Sequence, residues 1–270
     1  MKLILMGTNS FVVPVFESLS NQHEIIAVFT RAPKPMGRKH ILTKSPVHVW
    51  AESHGLNVHT SIKEFDSVFE KPDMIVVISY GVILRENVLN CAPCINIHPS
   101  SLPKYRGPSP IRSAILNGDN QMDVCLMKMT SEMDAGDILM RYNIEIDEND
   151  TNETMEQKVS SVAIEMLDEY LKNPNSFTPI AQSGKPTFTR KFNGADEIVD
   201  WKNTPQKIHN QIRALGCGRT KISGIDVKIL ETRIENGELK ILKIQPSGKN
   251  PMDWKSFVNG LRGAEIKYGE

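Results

Sequence analysis

The chain lacks several features, and each absence closes off a class of function. No apolar run approaches the ~20 residues that a membrane-spanning helix needs, so no membrane partner is expected. The opening Met1-Lys2-Leu3-Ile4-Leu5-Met6-Gly7 is too short for a secretory signal and has no small-residue cleavage site. It reads as a first strand, and the expected location is cytoplasmic. Cysteine is scarce, four in 270 residues, which suits a reducing compartment. Cys91 and Cys94 have CxxC spacing, but Cys125 and Cys217 supply no second close pair for a structural zinc, and Cys94 runs into a strand instead of a thiolate-activating helix start. Free thiols and no metal are the expectation. The turn after the first strand holds only Gly7, not GxGxxG, which disfavours a dinucleotide site. No internal repeat is evident. Net charge is also absent, with 32 Lys and Arg against 32 Asp and Glu.

What is present is unevenly distributed. Residues 201–270 carry thirteen Lys and Arg against seven Asp and Glu, so that end is basic and the remainder acidic. Arg31, Lys34, Arg38, Lys39 and Lys44 lie in one stretch without an acid, and Pro33, Pro35 and Gly37 predict that this loop is irregular. A loop of that length is usually functional, and basic segments fit a polyanion such as nucleic acid as readily as they fit a solvated surface.

The order of elements predicts an α/β fold. Strand (Lys2–Gly7), helix (Phe11–Leu19) and strand (Glu24–Thr30) make a βαβ unit and hence a parallel sheet. Ser45-Pro46 starts a helix that stops at Gly55. Met74–Ser79 is wholly apolar, as a strand covered on both faces must be. Further on, Met155, Val159, Val162, Ala163, Met166, Leu167, Tyr170 and Leu171 recur at helical spacing. Periodicity fades from Pro174 to Asn203, which reads as a linker. After it come a helix capped by Thr204-Pro205 and two strands, Ile225–Arg233 and Glu238–Gln245, joined by the hairpin signal Asn236-Gly237. The expected organisation is a large unit over residues 1–180, a linker over 181–203 and a small β-rich unit over 204–270.

Ile95-Asn96-Ile97-His98-Pro99-Ser100-Ser101-Leu102-Pro103-Lys104-Tyr105-Arg106-Gly107 is the most informative stretch. It starts as a strand whose polar residues, Asn96 and His98, lie two apart on one face. It then breaks into a turn-rich loop. An amide and an imidazole side by side can donate to a carbonyl oxygen that is gaining charge. A carboxylate can take the proton of an attacking amine or hold the imidazole, and Asp134, in the acidic turn Ser131–Asp137, is the candidate. His98 reads equally well as a hydrogen-bonded strand-end residue, and Asp134, like Asp137, as a turn former. On residues alone the substrate stays open.

The same stretch resembles the Asn-x-His-x-Ser-Leu-Leu-Pro-x-x-Arg-Gly signature of the methionyl-tRNA formyltransferase family, within the group that uses 10-formyltetrahydrofolate. Met133-Asp134-Ala135-Gly136-Asp137-Ile138-Leu139 is similar to that family's second motif, and Met6-Gly7-Thr8-Asn9-Ser10-Phe11 to its first turn. The resemblance implies a Rossmann-like formyltransferase domain with Asn96, His98 and Asp134 as catalytic residues. It implies that the backbone of Ser100, Ser101, Leu102 and Pro103 lines the folate. It implies 10-formyltetrahydrofolate as co-substrate and initiator methionyl-tRNA as partner, met by a basic insertion carrying Arg38, Lys39 and Lys44, in a monomer. The purine-pathway and sugar-nucleotide formyltransferases share the triad, and a deformylase would use it on water. Ser101 stands where the signature has its first Leu. The family's last domain is a five-stranded OB-like barrel, whereas only 67 residues follow Asn203 here, so a shortened OB-like domain is expected.

Overall fold

Strand, helix and strand open the chain as predicted: β1 (Lys2–Gly7), α1 (Val13–Ser20) and β2 (Glu24–Phe29). β1 and β2 pair in parallel. The computed structural model describes every residue except Arg38 and Phe69. β3 (Lys34–Met36), β4 (Ile41–Thr43), α2 (Pro46–Ser53), β5 (Val58–His59), β6 (Met74–Ile78), α3 (Glu86–Leu89) and β7 (Cys94–His98) follow. Then come α4 (Pro110–Asn117), β8 (Gln121–Lys128), β9 (Ile138–Glu145) and α5 (Asn152–Lys172). The last elements are α6 (Pro205–Leu215), β10 (Gly218–Ile222), β11 (Ile225–Glu235), β12 (Glu238–Pro246), β13 (Met252–Asp253) and α7 (Trp254–Gly260).

The chain forms two compact units, one of Met1–Pro108, Asp123–Ile144 and Glu156–Phe188, the other of Ser109–Met122, Glu145–Met155 and Thr189–Glu270. In the first, a seven-stranded sheet has the order β5-β2-β1-β6-β7-β8-β9. β5, β2, β1, β6 and β7 run parallel, and β8 is antiparallel to β7. β6 is buried at every residue, as its unbroken apolar run requires. Gly7 ends β1 where a side chain has no space: a Cβ there would lie 2.9 Å from both the Ile78 carbonyl and the Phe16 ring. The register sets Gly7 beside Ile78 and Val77 beside Asn96, so the carboxyl ends of β1, β6 and β7 meet at one edge of the sheet. That edge is where open α/β sheets bind their ligands.

The basic loop is not irregular. β3 and β4 form an antiparallel hairpin in which Pro35 faces Leu42, a place proline accepts because both strands of a two-stranded ribbon are edges. Met36, Ile41 and Leu42 stand exposed on it. α2 begins as predicted, with the Ser45 hydroxyl accepting from the His48 amide at 3.1 Å.

The second unit has four strands where two are expected, in the order β10-β11-β12-β13. All three pairings are antiparallel, so this is an open meander. Its hairpin turn is the predicted one, with Asn236 and Gly237 both at positive φ. The two extra strands have no legible pattern: β10 has a single large apolar residue, Ile222, and β13 is two residues long. Ile208 and Ile212 of α6 pack with Ile222, Val227, Ile229, Ile241 and Ile244 of the sheet and Phe257 of α7. Among the described residues no helix is long and apolar enough to cross a membrane.

Candidate active site

β7 delivers Asn96 and His98 to the carboxyl edge of the sheet, both buried. Beyond His98, Pro99 ends the strand and the chain folds back, so that the Tyr105 carbonyl lies 3.1 Å from His98 Nε2. A carbonyl only accepts, so Nε2 carries a proton in this arrangement. The other nitrogen, Nδ1, faces Oδ2 of Asp134 at 3.7 Å, long for a hydrogen bond and within ion-pair range. Catalytic hydrogen bonds are often long before substrate arrives. The Asn96 amide has no hydrogen-bond partner among the described residues, which leaves its donors for a ligand. The structure thus brings His98 and Asp134 together from segments 36 positions apart and keeps Asn96 beside them on the same strand face.

Asp134 is held from several sides. Its backbone is left-handed, at φ 50, a conformation Asp tolerates better than most residues. Its Oδ2 accepts from the Gly107 amide at 2.7 Å. Two residues on, Gly136 passes so close to β8 that a Cβ would lie 1.9 Å from the Lys128 carbonyl. Asp137, the rival candidate in the same turn, is used through its backbone, its carbonyl accepting from the Lys128 amide at 2.9 Å.

The segment Ser100–Pro103 turns its side chains mostly inward. Ser100 is fully buried, and Leu102 packs with Cys125, Met127 and Ile138. What it offers a ligand is therefore mainly backbone. Its carbonyls already have donors: Cys125 Sγ to Ser100, the Lys104 amide to Ser101, Arg141 Nη2 to Leu102 and the Thr187 amide to Pro103. The Ser100 carbonyl accepts from the Leu102 amide as well, and the other three each keep a second lone pair. The Leu102–Pro103 bond is cis. Arg141 is aimed by Asp123, whose Oδ2 it bonds at 2.8 Å, and Asn143 donates to the other oxygen of that carboxylate. Neither Asp123 nor Arg141 has a sequence signal that points to this loop.

Cys94 opens β7, and Cys125 lies opposite His98 on β8. Burial pushes the Cys94 thiol up to about 12 and the Cys125 thiol up to about 11, values that suit packing residues. Among the described residues, no three His, Cys, Asp or Glu side chains gather as metal ligands do. Of the basic candidates, Lys39 is exposed, and Lys44 is ion-paired with Glu52 at 2.6 Å. Arg38 lies outside the described residues.

Compared with known proteins, residues 1–171 match the family model described as Formyl transferase. A methionyl-tRNA formyltransferase of Ehrlichia chaffeensis is 38% identical over 296 aligned positions, covering 96% of this chain and 97% of the relative. That alignment is longer than the 270 residues of the chain, so the relative has insertions that this chain lacks. Among solved structures, a methionyl-tRNA formyltransferase from Clostridium thermocellum has a TM-score of 0.66 at 16% identity, covering 91% of this chain and 98% of that one. An N-formyltransferase from Helicobacter canadensis, in complex with folinic acid and dTDP-3-aminofucose, has a TM-score of 0.67 at 22% identity, covering 87% of this chain and 88% of that one. At such identities the two structures speak for the fold alone.

Proposed function

The chain belongs to the formyl transferase family, and from that premise we propose that it transfers the formyl group of 10-formyltetrahydrofolate to the α-amine of initiator methionyl-tRNA. The observation that carries this reading is the likeness to methionyl-tRNA formyltransferases along nearly the full length of both chains. The site fits the chemistry. The amine nitrogen attacks the formyl carbon, a C–N bond forms, and the carbonyl oxygen takes up negative charge. Asn96 donates to that oxygen, and His98 shares its Nε2–H between the Tyr105 carbonyl and that oxygen as charge builds there, in a preorganised setting in which such donors are most effective. Asp134, against His98, orients the imidazole and accepts the proton the amine loses. The bond from the formyl carbon to N10 of the folate then breaks, and N10 leaves with a proton as tetrahydrofolate. The backbone of Ser100, Ser101, Leu102 and Pro103 borders the folate, with carbonyl lone pairs free at Ser101, Leu102 and Pro103.

Residues 1–180 would carry the chemistry, 181–203 the connection, and 204–270, with Arg38, Lys39 and Lys44 of the β3–β4 hairpin region, the tRNA. The enzyme would act as a monomer in the cytoplasm. Incubation with 10-formyltetrahydrofolate and charged initiator tRNA tests the reading. Formyl-methionyl-tRNA is the expected product. Folate turnover without it would make the enzyme a deformylase; turnover only with a sugar-nucleotide amine or glycinamide ribonucleotide would move it to another branch of the family.

A further inference from the structure

We propose that Gln182 is a positioning residue for Asp134, holding the acidic turn in its catalytic setting; this rests on the reading of Asp134 as catalytic. Gln182 comes from the aperiodic stretch after α5, which the sequence marks only as connection. In the structure that stretch is stitched to the site. Ile180 and Ile138 exchange backbone hydrogen bonds at 2.8 and 2.9 Å. Thr187 accepts from the Arg106 amide through its carbonyl and from the Tyr105 amide through its hydroxyl, both at 2.9 Å. Between these two anchors the Gln182 side chain points into the acidic turn. Its Nε2 donates to the carbonyls of Asp134 and Gly136 at 2.8 and 2.9 Å. Its Oε1 accepts from Nε and Nη2 of the buried Arg106 at 3.2 and 2.8 Å. Both amide protons and both lone pairs are thus used, and the orientation is forced, since carbonyls only accept and a guanidinium only donates.

The two residues bracketed by this amide include the one whose backbone is left-handed. A non-glycine residue stays in that region only if its surroundings hold it there. Gly107 holds the Asp134 carboxylate and Gln182 holds its carbonyl, so the carboxylate is fixed against His98 Nδ1 from both ends. Gln182 is needed chemically, not only for its volume. Glutamate would keep the Arg106 contact but set a carboxylate oxygen against two carbonyl oxygens. Methionine would fill the space and bond neither partner. Freed of Gln182, the turn relaxes toward an ordinary φ and the carboxylate swings away from His98.

The test uses the full chain with 10-formyltetrahydrofolate and charged initiator tRNA. Gln182→Met and Gln182→Glu should each lower kcat by about 10- to 100-fold, the scale of a misplacement of about 1 Å in a reacting group. KM for both substrates should stay within about threefold, because no substrate contact is removed. In an Asp134→Asn background, Gln182→Met should add less than about twofold, since residues that act through one another are not additive. A full additional loss in that background, or wild-type kcat in the single variants, overturns the proposal. Should Gln182→Met fail to fold, Gln182→Glu decides; failure of both to fold assigns Gln182 to stability and overturns it as well. The two levels separate cleanly. Asp134→Asn at wild-type turnover removes the catalytic reading itself and this proposal with it, whereas a slow Asp134→Asn with an unaffected Gln182→Met removes only this proposal.

Discussion

Gly136 has no room for even a methyl group, and that fact shapes the acidic turn. A Cβ there would lie 1.9 Å from the Lys128 carbonyl, so Gly136→Ala must push the turn off β8 or bend the strand. Overpacking of this kind costs about 1–3 kcal/mol. The displaced turn carries Asp134 with it, so Gly136→Ala should lower both Tm, followed by calorimetry, and kcat. A fall in Tm with unchanged kcat would show that Asp134 tolerates the shift. His98→Ala separates chemistry from fold more directly. It should cut turnover about 10²-fold, the scale for losing one oxyanion donor, with Tm near wild type; undiminished turnover would remove His98 from the mechanism. The pair Asn96 and His98 was legible from alternation alone, because a strand puts residues two apart on one face. Asp134 was legible as a candidate carboxylate in the acidic turn, the resemblance alone set it above Asp137 as a catalytic residue, and its distance from His98 was not legible at all. Gln182, Asp123 and Arg141 carried no signal, because their partners are backbone carbonyls and other side chains that no spacing rule ties to them.

α6 shows how an element is fixed by more than its apolar stripe. Ile208 and Ile212 face the sheet of the second unit, as their spacing predicts. Between them sits His209, buried, with Nε2 3.0 Å from the Glu148 carbonyl and Nδ1 2.9 Å from the Thr232 hydroxyl. The carbonyl requires the proton on Nε2, and in the neutral ring Nδ1 accepts from the Thr232 hydroxyl. Burial, helped by the Arg213 charge, lowers its pKa below the usual histidine range. The unfolded chain therefore binds a proton that the folded chain refuses, and stability rises with pH across the interval between the folded and the unfolded value. Chemical denaturation should show this slope setting in as the pH falls below the unfolded value of about 6.5. His209→Gln should flatten it, and an equal slope in that variant would place its source elsewhere. Elements were legible where a period ran unbroken, as in β1, β6 and α5. They were not where length was too short for a period, as in β10, β13 and the β3–β4 hairpin, or where backbone bonds to distant loops do the work, as in residues 180–188.

For the molecule as a whole, the charge balance of zero conceals a division, with the excess of Lys and Arg concentrated after residue 200. A neutral protein gains nothing from overall attraction to tRNA, so any polyanion grip has to come from this local excess. Each phosphate neutralised contributes about 0.7–0.9 to the slope of log affinity against log salt. KM for tRNA should therefore rise steeply with salt, while KM for the folate, which has few charges, should rise little. Lys221 and Lys243 are exposed on the four-stranded sheet, on different strands. Replacing both by Gln should raise KM for tRNA and flatten its salt slope by about 1.4–1.8, if each lysine meets one phosphate. Turnover at saturating tRNA and KM for the folate should not change, because the formyl site belongs to the other unit. An unchanged slope would mark these lysines as solvated surface and leave the tRNA to the hairpin, where Arg38→Ala should then account for the salt dependence. A slope that fell for both substrates alike would mean the charges act on the fold, not on the acceptor.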